Sequence, residues 1–214
     1  MNRSIGMKAS SRRRLWPIGL VAVCAAAQAG GGPLGIDHTL ARDARGAWAR
    51  RNQLALEYGV IAFEALGATW WGNDDEFGHT LWQTVDASTV SAVGAAGLKL
   101  AFRRARPSAG QGPDAWFQSK SSRSFPSGEV TLQASFVTPI ILHYADKNPW
   151  VWALEALPLY DGVARMKSQA HWQTDVLAGW VLGTAAGYWA TQRQTPISVQ
   201  VLPHGVSVGY SRSF

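Results

Sequence analysis

The sequence predicts a mainly α-helical single domain that ends in a short C-terminal β-hairpin. Three observations predict it. Small and apolar residues recur at helical spacing over several stretches between residues 43 and 191. Start and stop signals punctuate those stretches: Ser127 before Gly128, Asn148 before Pro149, and Pro107 after the run that reaches Arg104. Past residue 196 the period becomes two, with Ile197, Val199 and Val201 alternating with Ser198 and Gln200, and Val206, Val208 and Tyr210 alternating with Ser207, Gly209 and Ser211.

Residues 1–29 read as a secretory signal peptide. Arg3, Lys8 and Arg12 to Arg14 form a basic start, Leu15 to Ala27 an apolar stretch, and Ala27-Gln28-Ala29 a small-x-small cleavage site. The apolar run is too short for a membrane anchor, and Pro17 interrupts it. Residues 11–16 also fit a twin-arginine signal. Export predicts a periplasmic or membrane-associated protein. The single cysteine, Cys24, lies inside this leader, so no disulfide is expected. The net charge of +6 is also largely the leader's. Without residues 1–29, 15 basic residues face 14 acidic ones, which removes the case for a nucleic-acid partner.

The remaining elements follow in order. Residues 30–42, rich in Gly and Pro at their start, predict a flexible N-terminal lead-in, and residues 43–192 the helical domain. Asp43 to Trp71 predicts one long or two short helices, with Arg50 and Arg51 on the polar side. Gly72 to Glu76 predicts a loop. Asp74, Asp75, Glu76 and His79 raise the question of a metal, but consecutive acids without ligand periodicity read as a solvated loop. Asp86 or Ser88 is expected to cap a helix running to about Arg104, containing Val90, Val93, Ala96 and Leu98. Residues 108–125 predict a polar loop. Ser127 is expected to cap a helix over about Gly128 to Tyr144, and Asn148-Pro149 to start another toward Lys167, kinked at Pro158. The last helix is expected from His171 to Thr191. Its Gly179, Gly183 and Gly187, spaced four apart, give a flat face for close packing. Residues 193–214 form the hairpin.

Three clusters carry chemistry. Lys99 and Arg106 lie seven apart, about two helical turns, so one helix would present both on one face near its C-terminus. Ser127-Gly128 opens a helix whose N-terminal amides suit an anion. His171 and Asp175 lie four apart; a carboxylate accepting from one ring nitrogen fixes the tautomer and leaves the other nitrogen to attack. Each cluster alone has an ordinary structural explanation: a complemented helix end, a capped helix, a satisfied histidine. Arg103 and Arg104 read as such helix-end complements.

Together, in this order and spacing, the clusters resemble the type-2 phosphatidic acid phosphatase superfamily, which includes bacterial class A acid phosphatases and vanadium haloperoxidases. The family pattern is Lys-x6-Arg-Pro, Pro-Ser-Gly-His and Ser-Arg-x5-His-x3-Asp. Lys99, Arg106 and Pro107 fit the first block, Pro126, Ser127 and Gly128 the second without its histidine, and Arg165, His171 and Asp175 the third without its serine. The resemblance covers about residues 80–190 and implies a compact helical bundle.

It further implies a metal-independent phosphatase acting on phosphomonoesters or lipid diphosphates through a phosphohistidine. His171 would be the nucleophile and Asp175 its orienter. Lys99, Arg106, Ser127, Gly128 and Arg165 would bind the phosphate. No cofactor is implied, although vanadate or phosphate fits the same pocket. Ala164 stands where the family has serine, and Glu129 where it places the histidine that protonates the leaving group. A free Glu titrates near pH 4.3; burial beside a phosphate would raise its pKa while the nearby cations pull the other way, and as a tuned carboxyl it would act as general acid at mildly acidic pH. Two competing classes follow: a catalytically weakened phosphate- or lipid-binding homologue, and a vanadate-dependent oxidase. Tryptophans such as Trp70, Trp71, Trp82, Trp116, Trp150, Trp152 and Trp172 suit a phosphorylated lipid substrate and a peripheral membrane contact. An oligomer is compatible with the sequence.

Overall fold

Apolar residues are densest between Val130 and Ile141, and that stretch becomes the central helix. In a computed structural model, which describes residues 30–72, 75–193, 197–202 and 205–210, with side chains up to residue 193, it lies at the centre of a bundle of five helices. They are α1 (Arg50–Trp71), α2 (Glu76–Phe102), α3 (Gly128–Tyr144), α4 (Ala156–Lys167) and α5 (Gln173–Thr191). The expected signal peptide lies outside the described residues.

α3 touches all four other helices. Phe136, Val137, Ile140 and Ile141 join Val60, Ala68 and Leu81 in the main apolar core. The glycine stripe on α5 is the face that meets α3. A Cβ on Gly183 would stand 2.3 Å from the Thr131 carbonyl oxygen and 2.8 Å from Ala134 Cβ, so the backbones approach to a distance only glycine permits.

Several boundaries differ from the sequence reading. α2 starts ten residues before the expected Asp86, because the Asp75 carboxylate accepts from the Phe77 and Gly78 amides at 2.9 and 3.1 Å. It ends at Phe102, where Arg103 turns left-handed at φ 42°, so Lys99 and Arg106 do not share a helical face. Val90 and Val93 of α2 point outward; its buried face is small and polar, with Thr80, Thr84, Ser88 and Ser91. Their hydroxyls fold back, as Thr84 does onto the Leu81 carbonyl at 2.7 Å, which lets a helix bury polar residues against its neighbours. Asn148 caps a 3-10 segment, Pro149–Glu155, and Pro158 falls in the first turn of α4, where a missing amide is tolerated.

The segment expected to be a flexible lead-in is tied down. Gly31 and Asp37 exchange backbone hydrogen bonds at 2.9 and 3.0 Å, and Asp43 N donates to the Lys167 carbonyl at 2.9 Å. Gly32 turns at φ 79°, and a Cβ there would collide with the Asp37 carboxylate.

The helices alone define the fold class. Among the described residues no helix is long and apolar enough to cross a membrane. Tyr58, Ile61, Phe63, Leu66 and Trp70 nonetheless leave much of α1's outer surface apolar.

Gly183→Ala is expected to cost about 1–3 kcal/mol through overpacking. Gly59→Ala, on α1 with nothing within 4 Å of the new methyl, should stabilise by about 0.5–1 kcal/mol. Denaturant titrations of both variants check the pair.

Glu64 of α1 is buried, with Ser88 Oγ donating to it at 3.0 Å. Burial pushes its pKa up to about 8, against the opposing hydrogen bonds from Ser88 and Thr84. The folded chain therefore holds a proton that the unfolded chain releases near pH 4.5, so this contribution is full below that pH and lost as pH rises to about 8. Glu64→Gln should flatten that part of the stability–pH curve and gain roughly 2 kcal/mol at pH 8, as read from denaturation midpoints between pH 5 and 8.

Candidate active site

The chain brings its three sequence clusters to the N-terminal ends of α3 and α5. Lys99, in the last turn of α2, reaches across to the turn before α3. Its Nζ donates to the Pro126 carbonyl, and to that of Arg123 at 3.3 Å. Burial lowers its pKa to about 8, with Arg106 and Arg165 adding to the effect of burial. Lys99 Cε lies 3.8 Å from where a Cβ on Gly128 would stand. Ser127 is the N-cap residue of α3, but its hydroxyl makes no capping bond. That buried Oγ has no hydrogen-bond partner among the described residues. Arg106 is exposed on the loop after α2, near enough for its charge to act on Lys99 and Arg165.

His171 is 2% exposed. Its Nδ1 stands 2.6 Å from the Ser124 carbonyl oxygen. A carbonyl only accepts, so Nδ1 carries the proton and the neutral ring presents a bare Nε2. Burial lowers the His171 pKa, and Lys99 and Arg165 reinforce it against the pull of Asp175 and Glu129. Nε2 points at Glu129, whose Oε2 is 3.8 Å away.

Asp175 does not hold the ring in the way its spacing predicts. α5 begins at Gln173, so His171 and Asp175 do not share a helical face, and Asp175 Oδ2 is 3.8 Å from Nδ1, beyond hydrogen-bond reach. Instead Oδ2 accepts from Ser124 Oγ at 2.5 Å and from the Trp172 amide at 2.9 Å. The carboxylate thus fixes Ser124, and Ser124 fixes the histidine. Burial alone would raise the Asp175 pKa; His171, Arg104 and Ser124 outweigh it and hold it below the usual carboxylate range.

The sequence position of Arg104 predicts a helix-end complement. It is 0% exposed and lies between two buried carboxylates, Asp37 at 2.6 Å and Asp175 at 2.7 Å. Thr174 joins the cluster, its hydroxyl 2.8 Å from Arg104 and its amide donating to Asp37 at 2.8 Å. The guanidinium also lies over Trp116, 4.4 Å from the ring centroid. Trp172 is buried too, its indole donating to the Ala105 carbonyl at 2.8 Å.

Glu129 sits at the first turn of α3, inside a ring of cations. Its Oε1 is 2.9 Å from Arg50 Nη1 and 3.6 Å from Arg165 Nη2. Burial would raise its pKa, but Arg165, His171 and Arg50 prevail and bring it down to about 2. In the free protein the cations therefore prevail, and Glu129 is ionised at neutral and mildly acidic pH. Arg165 also donates to Gln53 of α1 at 3.0 Å, and its buried Nε has no partner among the described residues. Arg50 and Gln53 were not identified from sequence, since neither belongs to a recognisable motif. Ala164, in the family's serine position, is fully buried.

Arg104→Met would leave Asp37 and Asp175 buried without their cation. A loss of about 3–5 kcal/mol is expected, measured by chemical denaturation at pH 7.

The family model described as the PAP2 superfamily matches residues 81–197, more than half of the chain. The lipid A 1-phosphatase of Porphyromonas gingivalis is 28% identical over 95 residues, which is 42% of this chain and 19% of that protein's length. A crystal structure of Aquifex aeolicus LpxE is 20% identical with a TM-score of 0.46, over 64% of this chain and 86% of that one. The family match covers all three motif blocks, and the chain belongs to the type-2 phosphatidic acid phosphatase (PAP2) superfamily.

Proposed function

We propose that this protein is an exported, metal-independent phosphatase that hydrolyses phosphorylated lipids, monoesters or diphosphates, through a phosphohistidine on His171. One observation carries the reading: the 2.6 Å contact between His171 Nδ1 and the Ser124 carbonyl leaves Nε2 as the basic nitrogen, facing Glu129, which Arg165 in turn approaches. Nε2 attacks phosphorus, the N–P bond forms, and the ester P–O bond breaks. Lys99, Arg106 and Arg165 hold the non-bridging oxygens and supply the positive charge that a metal ion brings elsewhere. The Ser127 hydroxyl, which has no partner among the described residues, and the Gly128 amide complete the cradle. Glu129 protonates the leaving oxygen, and water then hydrolyses the phosphohistidine. Asp175 and Arg104 are positioning residues that act through Ser124.

The lipid part of the proposal has three supports. One relative is named for a lipid phosphatase activity. A cavity of about 290 Å³ extends from Lys99 and Gly128 between α1, α2 and α3, walled by Ile61, Ala92, Ala95 and Leu132. The outer surface of α1 beside it is apolar, which suits contact with a membrane surface. The strands of residues 197–210 form a β-hairpin appended to the domain in this reading. The weakened phosphate-binding homologue remains as a second reading, favoured by the ionised Glu129 in front of the nucleophile.

Phosphate release from p-nitrophenyl phosphate and from alkyl, isoprenoid and glycerolipid phosphates tests both. Turnover that falls at least about a thousandfold in His171→Ala is expected. Absence of turnover in the wild type on every substrate selects the binding homologue. Ala92→Leu, on the cavity rim, should lower kcat/KM for long-chain phosphates about tenfold or more and leave p-nitrophenyl phosphate unaffected. Equal effects on both would remove the lipid assignment.

A further inference from the structure

Glu129 lies where an anion should bind. The groups that surround its carboxylate, Arg165 at 3.6 Å and His171 Nε2 at 3.8 Å, are the ones a substrate phosphate needs. A phosphorus in position for attack would stand about 3–3.5 Å from Nε2, which is space the carboxylate already borders. Two anions cannot share that space without strong repulsion. Arg50 offers a way out: it is 45% exposed, stands at the edge of the site, and already holds Oε1 at 2.9 Å.

We propose that Glu129 is the resident anion of the phosphate seat, and that it takes up one proton when a phosphate group replaces it against Arg165. The inference rests on the phosphatase reading above and adds to it the origin of the proton that reaches the leaving group. Ionised, the carboxylate neutralises the cations of the unliganded seat. Protonated, it becomes a hydrogen-bond donor to the incoming phosphate. The proton then passes to the leaving oxygen as the P–O bond breaks and the N–P bond forms, releasing an alcohol. The carboxylate next accepts a proton from the water that attacks phosphorus, the P–N bond breaks, and as phosphate leaves Glu129 releases that proton to solvent and returns to Arg165. One ester and one water give one alcohol and one phosphate, and Glu129 ends ionised as it began.

The other charged groups around Glu129 agree with this assignment. From α1 come Arg50 and Glu57, from the end of α2 Lys99 and beyond it Arg106, from α4 Asp161 and Arg165, and before and within α5 His171 and Asp175. Besides the bare Nε2 of His171, which Glu129→Gln retains, Asp161 is the competing proton acceptor: it is fully buried, and burial followed by the Glu129 charge raises its pKa to about 7. At pH 6 it is already largely protonated, so a new anion leaves it little to take up. Arg50 acts as a positioning residue that lowers the pKa of Glu129.

Calorimetric titration with inorganic sulfate tests the coupling, because sulfate does not itself titrate between pH 5 and 8. Measurements at pH 6 in two buffers of different ionisation enthalpy count the protons taken up. The wild type is expected to take up about one proton per sulfate more than Glu129→Gln, and its affinity to fall about tenfold per pH unit where the variant's changes less. Glu129→Ala repeats the comparison, with a thermal melt to verify folding. Arg50→Gln should shift the wild-type pH dependence to higher pH, which a merely structural contact would not do. Equal proton uptake in the wild type and both Glu129 variants overturns the inference, as does loss of the uptake in Asp161→Asn. If p-nitrophenyl phosphate is still hydrolysed in that case, the phosphatase reading stands without this step. Sulfate binding to none of the folded proteins would remove both.

Discussion

The Arg104 guanidinium, sealed between Asp37 and Asp175, is the contact on which the site depends. A fully buried cation is costly to desolvate and persists only with close, hydrogen-bonded counter-charges. Here two carboxylates, the Pro113 carbonyl and the Thr174 hydroxyl satisfy it. The cluster joins the N-terminal segment, the loop after α2 and the start of α5 at one point. From Asp175 the constraint runs to Ser124 and on to the ring of His171. The tautomer of His171 is thus set at one remove, by a backbone carbonyl whose own position a carboxylate fixes.

On the Nε2 side of His171 the charge is balanced differently. Lys99, Arg106 and Arg165 converge with Arg50, a residue outside the family pattern. Glu129, in the position of the family's histidine, gives that excess of positive charge an internal partner. A carboxylate in place of a ring puts a negative charge among these cations. The low pKa of Glu129 and the contact with Arg50 are two aspects of the same electrostatic balance.

The helices bring these groups together because they pack unusually closely. α5 presents glycine to α3, and α2 presents serine, threonine and alanine on its buried face. Small interfaces leave the larger apolar side chains of α1 and α2 outside, and so the same choice that tightens the interior makes the surface apolar. That surface borders the cavity that opens at Lys99 and Gly128.

The sequence by itself determined the helical class, the bounds of α3, the glycine face of α5 and the motif residues, because periodicity, helix signals and motif spacing are local properties of a chain. It placed Lys99, Ser127, Arg165 and His171 in the regions that converge. The tertiary structure alone decided which atom each group faces. His171 and Asp175 are four apart, yet a helix start falls between them and their bond passes through Ser124. Arg104 looked like a helix end and became the buried hub, since its partners Asp37 and Asp175 lie 67 and 71 residues away. The pKa of Glu129 depends on Arg50, 79 positions earlier in the chain. Charge and burial act through space, and only the folded backbone sets those distances.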